Sequence, residues 1–245
     1  LDILTLPEEL RKDTEARRVA LNSADIAFLC LPDAAAREAV SLVDNPHTAI
    51  IDTSTAHRTA AGWTYGFPEL VGVETIAASK RIANPGCHAS GFVALVAPLV
   101  RAGLIAPDTR LTCFSLTGYS GGGKPMIAAY EAADRDPLLG APRQYGLAQT
   151  HKHLPEMAKV CGLHYDPVFC PIVGDFYSGM EVTVPLFGSD LKGTMEDVKA
   201  AYRAAYTGGL ITYCEETENG FRMVNTKDFA VKYRVDQNLG DLATS

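Results

Sequence analysis

A chain of 245 residues, 47% of them apolar and 21% charged, is long enough to bury the core of one large domain or two modest ones. Its formal charge of −7, with no block of Lys or Arg, argues against a nucleic-acid or anionic-membrane surface and leaves room only for a local anion pocket. The longest apolar run, Phe92 to Val100, falls far short of the roughly 20 residues that span a bilayer, and no charged-then-apolar leader opens the chain, so a soluble cytoplasmic protein is expected.

Leu1 to Leu6 alternates as a strand; the chain starts there without Met, as a fragment of a longer protein would. Glu8 to Asn22 reads as a helix with Leu10, Ala16, Val19 and Ala20 toward a core. Ile26 to Leu31 is a continuous apolar run of the kind found in parallel sheets buried on both faces. After Pro32, Asp33 is placed to cap a helix reaching Val43, and Ala49 to Asp52 is a second buried strand. This alternation implies a doubly wound α/β layer, in which ligands gather at the carboxyl ends of the strands. The loops at residues 7–12, 30–33 and 52–58 are therefore the ones of chemical interest. No G-x-G-x-x-G turn follows any strand, so the residues themselves give no dinucleotide fingerprint.

Lys80 to Ala83 leads into Asn84-Pro85-Gly86-Cys87-His88-Ala89-Ser90-Gly91, where Pro85 and Gly86 mark a sharp turn. A segment of helical period follows, with Phe92, Val93, Val96, Leu99 and Val100 on one face. Cys87 thus falls in a first helical turn, where unpaired N–H groups and the positive end of the macrodipole favour thiolate over thiol. It is the candidate nucleophile; the alternative is a small thiol packed under a turn. The other cysteines (Cys30, Cys113, Cys161, Cys170, Cys214) form no C-x-x-C pair, and reduced thiols are expected.

Leu111 to Leu116 reads as a strand running into Gly118-Tyr119-Ser120-Gly121-Gly122-Gly123-Lys124-Pro125, which satisfies G-x-x-x-x-G-K before a helix. Pro125 speaks against a phosphate-cradling P-loop, because it stands where a Ser or Thr hydroxyl and a backbone N–H are needed. A glycine turn that lets backbone approach substrate or cofactor is the preferred reading, with a plain connector as the alternative. Asp134 to Gln149 reads as a surface excursion. In His151-Lys152-His153-Leu154-Pro155-Glu156-Met157, Pro155 suits the first turn of a short helix. An extended backbone would aim the two histidines to opposite sides, one of them toward the thiol. Zinc lacks a third and fourth ligand at standard spacing. Val168 to Val173 and Glu181 to Phe187 read as strands, and Thr194 caps a helix to Tyr206 with Asp197 at the capping-box position. Phe229 to Val235 alternates as one more strand. This half reads as α+β, and the boundary between halves falls near Asn84.

Taken together, these residues resemble the N-acetyl-gamma-glutamyl-phosphate reductases of arginine biosynthesis, in their shorter type 2 branch, from Leu4 to about Phe187. The ordered set N-P-G-C-H (Asn84 to His88), T-G-Y-S-G-G-G-K (Thr117 to Lys124), Y-G-L (Tyr145 to Leu147), H-K-H-L-P-E-M (His151 to Met157) and P-I-V-G-D-F-Y-S-G-M (Pro171 to Met180) carries the likeness. The wider superfamily includes aspartate-semialdehyde dehydrogenase. The family's opening strand and glycine turn are absent here, and after Asn238-Leu239-Gly240 the sequence departs from the family's closing segment. The resemblance implies a Rossmann-like NADP-binding domain over 1–84, lacking that strand and turn, and an α+β catalytic and oligomerisation domain over 85–245.

It further implies NADPH-dependent reduction of N-acetyl-glutamyl 5-phosphate to the semialdehyde through a Cys87 thioester, with His151 or His153 as the acid. Glu156 either binds back to a histidine or caps the short helix. Arg58, Ser54, Asn84 and Gly118 are the candidates for holding substrate. Arg11 and Lys12 are placed to recognise a 2′-phosphate and hence NADP, with Leu31, Pro32, Gly121 and Gly122 beside the cofactor. The family also suggests a homotetramer. A related aspartyl or lysine-pathway acyl-phosphate reductase is the alternative substrate reading. A P-loop nucleotide hydrolase using Lys124, a cysteine hydrolase without nicotinamide and a folded but inert remnant are the alternatives of other classes.

Overall fold

The structure is a computed structural model that describes residues 2–208, 210–214, 231–235 and 242–244. It divides into two compact units, Leu1–Gly86 and Cys87–Ser245.

In the first unit, α1 (Thr14–Ser23), β1 (Ile26–Leu29), α2 (Asp33–Ser41), β2 (Ala49–Asp52), β3 (Thr64–Tyr65), α3 (Pro68–Val71), α4 (Val73–Ala78) and β4 (Arg81–Ala83) follow in order. The four strands form a parallel sheet of order β1-β2-β4-β3. Leu29, Ala39 and Ile50 form its core, with Leu21, Val40, Val43 and Trp63 packed against them.

Four expectations for this unit are corrected. Residues 2–6 form no strand, because no described strand pairs with their backbone groups. The helix expected over Glu8–Asn22 is two pieces: a 3-10 turn at Glu8–Leu10, then α1, which starts only where the Asp13 carboxylate accepts the Ala16 N–H at 2.7 Å. Leu10 and Val19 are consequently exposed rather than turned to the core. β1 is an edge strand with one face bare, Ile26 and Phe28 being 52% and 66% exposed, not a strand buried on both faces. Asp33 lies inside α2 rather than capping it; its carboxylate takes the Thr55 N–H at 3.0 Å and the Thr55 hydroxyl, tying the start of α2 to the loop after β2.

The second unit runs α5 (Cys87–Arg101), β5 (Thr112–Gly118), α6 (Gly123–Glu131), β6 (Arg143–Gln144), α7 (Leu154–Cys161), β7 (Val168–Gly174), β8 (Met180–Val184), α8 (Met195–Ala205), β9 (Ile211–Cys214), β10 (Val231–Val235) and β11 (Leu242–Thr244). Its mixed sheet has the order β6-β7-β5-β8-β11-β10-β9, with β5 and β7 parallel and β8 antiparallel to β5. The short strand β6 lies within the segment expected to be a surface excursion.

Helix α5 is buried on every side from Gly91 to Leu99, not on one face, because it packs against α7, α8 and β8 together. Pro98 sits inside it, and a proline withholds the N–H that would have bonded the carbonyl four residues earlier. That carbonyl, on Ala94, instead accepts the Tyr206 hydroxyl at 2.5 Å, while the next carbonyl, on Leu95, accepts the Tyr202 hydroxyl at 2.6 Å. Helix α8, which supplies Tyr202, opens with the expected capping box between Thr194 and Asp197.

Candidate active site

Cys87 is the first residue of α5 and is exposed. Cys113 and Cys161 are buried, and burial pushes both thiols far up, away from nucleophilic use. Cys30 is also exposed, at the end of β1, and Cys170 is half-buried.

Next to Cys87, His88 points into the protein and is only 4% exposed. Its Nδ1 lies 2.7 Å from the Ser115 hydroxyl on β5, and its Nε2 lies 2.9 Å from the Tyr145 hydroxyl just past β6. Burial, followed by the nearby His151, lowers its pKa to about 4, so it is neutral at physiological pH.

Around it stand the rings of His151 and His153, at centroid distances of 5.9 and 5.6 Å, and of Phe169 at 5.2 Å. The two histidines do not point to opposite sides, as an extended backbone would require. They occupy a turn, with His153 in helical geometry, and their centroids are 4.8 Å apart. The His153 N–H donates to His151 Nδ1 at 3.3 Å, so a neutral His151 carries its proton on Nε2. His151 is half-buried, and burial and then Lys152 lower its pKa. His153 and Glu156 are buried, the latter 1% exposed in the first turn of α7.

The loop carrying these rings is pinned to β7. The Tyr145 N–H donates to the Pro171 carbonyl at 3.0 Å. The Gln149 side chain then pairs with the Phe169 backbone like a strand residue, Nε2 to the carbonyl and Oε1 from the N–H, both at 2.8 Å. Gln149 pays for this in backbone conformation: its φ of 53° lies in the left-handed region that β-carbon-bearing residues avoid. Sequence reasoning assigned no role to His88, Ser115, Tyr145 or Gln149. The Y-G-L and N-P-G-C-H motifs were the available signals for Tyr145 and His88; nothing in the pattern marked Ser115 or Gln149.

In the glycine-rich turn, the N–H groups of Gly118, Tyr119 and Ser120 donate to Gly179, Phe176 and Tyr177 carbonyls at 2.9–3.0 Å. A P-loop needs such amides open for phosphate, so this one is not a P-loop. Gly118, expected to approach substrate, approaches protein instead: a β-carbon there would come within 2.7 Å of the Phe176 and Tyr177 carbonyl oxygens. Gly121, Gly122 and Lys124 are exposed on this turn. Among the described residues no group of three His, Cys, Asp or Glu is arranged to hold a metal.

In the first unit the loop after β2 is built on a buried carboxylate. Asp52, 0% exposed, accepts the Ser54 N–H at 3.0 Å and its hydroxyl at 2.8 Å, and its Oδ2 lies 2.6 Å from His57 Nδ1. A carboxylate only accepts, so His57 Nδ1 carries a proton. The His57 ring stacks on Trp63 at 4.1 Å. Arg58 follows, its Nε on the Asn84 carbonyl at 2.9 Å and its Nη2 on the Thr53 carbonyl at 3.0 Å. Ser54, Arg58 and Asn84 are therefore joined in one network, with Ser54 buried and Asn84 exposed.

Residues 87–243 match the family model "Semialdehyde dehydrogenase, dimerisation domain", and residues 5–78 match "Semialdehyde dehydrogenase, NAD binding domain". N-acetyl-gamma-glutamyl-phosphate reductases of Mesorhizobium japonicum and a Chelativorans species are 47% and 48% identical to it, covering 86% and 85% of this chain and 70% and 68% of their own length. The chain belongs to the N-acetyl-gamma-glutamyl-phosphate reductase family. Pseudomonas putida N-acetyl-gamma-glutamyl-phosphate reductase 2 is 45% identical over 85% of this chain and 67% of its own. The fold matches that of Vibrio cholerae aspartate semialdehyde dehydrogenase II, with a TM-score of 0.65 at 13% identity over 91% of this chain and 74% of that one.

The first unit fits the ends of a nicotinamide dinucleotide. Helix α2 starts at Pro32 without a side-chain cap, leaving first-turn amides for an anion, and Leu31 and Pro32 are exposed beside it. Arg11 and Lys12 are exposed cations before α1. The described helices include none long and apolar enough to cross a membrane.

Proposed function

We propose that the protein catalyses NADPH-dependent reduction of N-acetyl-glutamyl 5-phosphate to N-acetylglutamate 5-semialdehyde, with Cys87 as nucleophile. The observation that carries this is an exposed cysteine at a helix start, followed in sequence by the buried His88, whose ring packs against those of His151 and His153 on a pinned loop. The relatives named above bear that activity in their names.

The thiolate attacks the acyl carbon, the tetrahedral adduct collapses, and phosphate departs to leave a Cys87 thioester. NADPH, bound, supplies the hydride. Addition of hydride to the thioester carbon gives a tetrahedral alkoxide, which expels the Cys87 thiolate and becomes the aldehyde. The overall reduction consumes one proton, which ends on the released phosphate. His151 is the better placed donor to the reacting oxygen, because its Nδ1 accepts a backbone N–H and its Nε2 is the protonated nitrogen. His153, buried, holds it in place through its backbone N–H and its ring. Arg58, fixed by the Thr53 and Asn84 carbonyls, is the candidate for recognising an anionic substrate, whereas Ser54 is not: its buried hydroxyl donates to Asp52 and accepts the Ala56 N–H. Arg11 and Lys12 would meet the 2′-phosphate of NADP, and Leu31 and Pro32 would flank the cofactor. A homotetramer in the cytoplasm is the expected setting, consistent with the match to a dimerisation domain.

Cys87→Ser is expected to abolish NADPH oxidation by the acyl phosphate, on the order of 10⁴-fold or more. Mass spectrometry should then trap a thioester in the unmodified chain and none in the variant. Retained turnover in Cys87→Ser, or phosphate release with no NADPH consumed, would overturn the assignment.

A further inference from the structure

We infer that Ser115, His88 and Tyr145 form a proton-ordered chain that aims the Tyr145 phenol O–H at the oxygen developing on the carbon bound to Cys87. Ser115 and His88 are positioning residues, and Tyr145 is a catalytic hydrogen-bond donor additional to His151. The inference rests on the thioester chemistry proposed above.

The geometry begins with Pro171. In β7 it pairs with Ser115 of β5 on one side, and on the other its carbonyl accepts the Tyr145 N–H at 3.0 Å. Proline has no N–H to return, which ends β6 at Gln144 and leaves Tyr145 at the margin of the sheet. Ser115 and Tyr145 therefore flank one residue at one level of the sheet. His88, from the first turn of α5, reaches both hydroxyls, at 2.7 and 2.9 Å.

Counting protons then fixes the direction of every bond. Ser115 is fully buried, and among the described residues its hydroxyl has one hydrogen-bond partner, His88 Nδ1. A buried O–H without an acceptor is costly, so Ser115 donates and Nδ1 accepts. The imidazole is neutral, which places its single proton on Nε2, and Nε2–H donates to the Tyr145 oxygen. The phenol proton is then barred from His88 and must point elsewhere. Tyr145 is half-buried and close enough to Cys87 that, after burial, the sulfur's charge is what holds the phenol protonated, its pKa pushed up to about 12.

Such a phenol is a donor that keeps its proton. It suits an oxygen that becomes an alkoxide twice, once when the thiolate adds to the acyl phosphate and once when hydride adds to the thioester. In each case the alkoxide lone pair re-forms the carbonyl as phosphate or thiolate leaves, so no proton need pass from Tyr145.

Two measurements on the full chain test this. Tyr145→Phe keeps the ring and removes the donor, and kcat should fall about 10²-fold with KM little changed and alkylation of Cys87 by iodoacetamide unaltered. Ser115→Ala releases the imidazole to accept the phenol proton, and kcat should fall about 10-fold while Ser115→Thr restores it. Independently of any variant's folding, ¹⁵N spectra of the histidines at pH 7 should show His88, assigned by its loss in His88→Gln, as the Nε2–H tautomer. An Nδ1–H tautomer would overturn the chain, and so would full kcat in Tyr145→Phe. If Cys87→Ser is inactive while Tyr145→Phe is fully active, this inference fails and the thioester reading stands. If Cys87→Ser is active, the thioester reading itself fails.

Discussion

His57 in the first unit and His88 in the second are both buried imidazoles with a hydrogen-bonded partner on Nδ1, yet they are built to opposite ends. His57 faces a carboxylate at 2.6 Å and lies flat on Trp63, so its contacts lock a loop. His88 faces two hydroxyls and other rings, so neither ring nitrogen meets a carboxylate, and its contacts carry direction rather than attraction. The partner's chemistry, more than the burial the two share, decides whether a histidine acts as a clamp or as a switchyard for hydrogen bonds.

Removing the carboxylate breaks that contrast most severely. Asp52→Ala leaves the Ser54 N–H and hydroxyl and His57 Nδ1–H without their acceptor, and should cost roughly 3–5 kcal/mol by urea unfolding. A loss below about 1 kcal/mol would show the pair to be ornamental.

The hydroxyl-bound ring should reveal itself through pH. Its folded pKa of about 4 lies below its ordinary value of 6.5, so the unfolded chain binds the proton more readily. Its contribution is complete above about pH 6.5 and is lost as pH falls through about 4, amounting to roughly 3 kcal/mol. The slope of stability against pH between those values should flatten in His88→Gln. An unchanged slope would mean that other groups carry the acid sensitivity.

The smallest effect sharpens the second region alone. Gln149→Ala strips the Phe169 N–H and carbonyl of their side-chain partners and frees the histidine loop. It should cost about 1–3 kcal/mol and lower kcat more than it raises KM. A change in stability with no change in kcat would separate the pin from the chemistry.

The sequence made some of this legible. Ala49–Asp52, the capping box at Thr194 and the placement of Cys87 at a helix start were readable because each depends on residues near in the chain. The failures have a common cause in distant partners. Residues 2–6 alternate properly but have no described neighbour to pair with, and the apolar run at Ile26 to Leu29 is an edge among the described strands. Asp33 looked like a cap until Thr55 claimed its carboxylate. Gly118 was expected to approach substrate or cofactor, but it and the next two amides are consumed by a loop that lies more than fifty residues downstream. The candidate nucleophile and its two candidate histidines were visible by motif, whereas Ser115 and Gln149 act through register and side-chain mimicry of a strand, which no local pattern encodes.

Tyr206, the tyrosine that answers the proline in α5, carries a consequence for how the protein can vary. A hydroxyl from beyond α8 stands in for an amide that the helix carrying Cys87 lacks, so the two helices are keyed at that point. Sliding one past the other by a residue would strand a carbonyl in the dry interior. Drift at position 98 and drift at position 206 are therefore not independent events: an alanine at the first makes the phenol at the second dispensable, and the proline makes it obligatory.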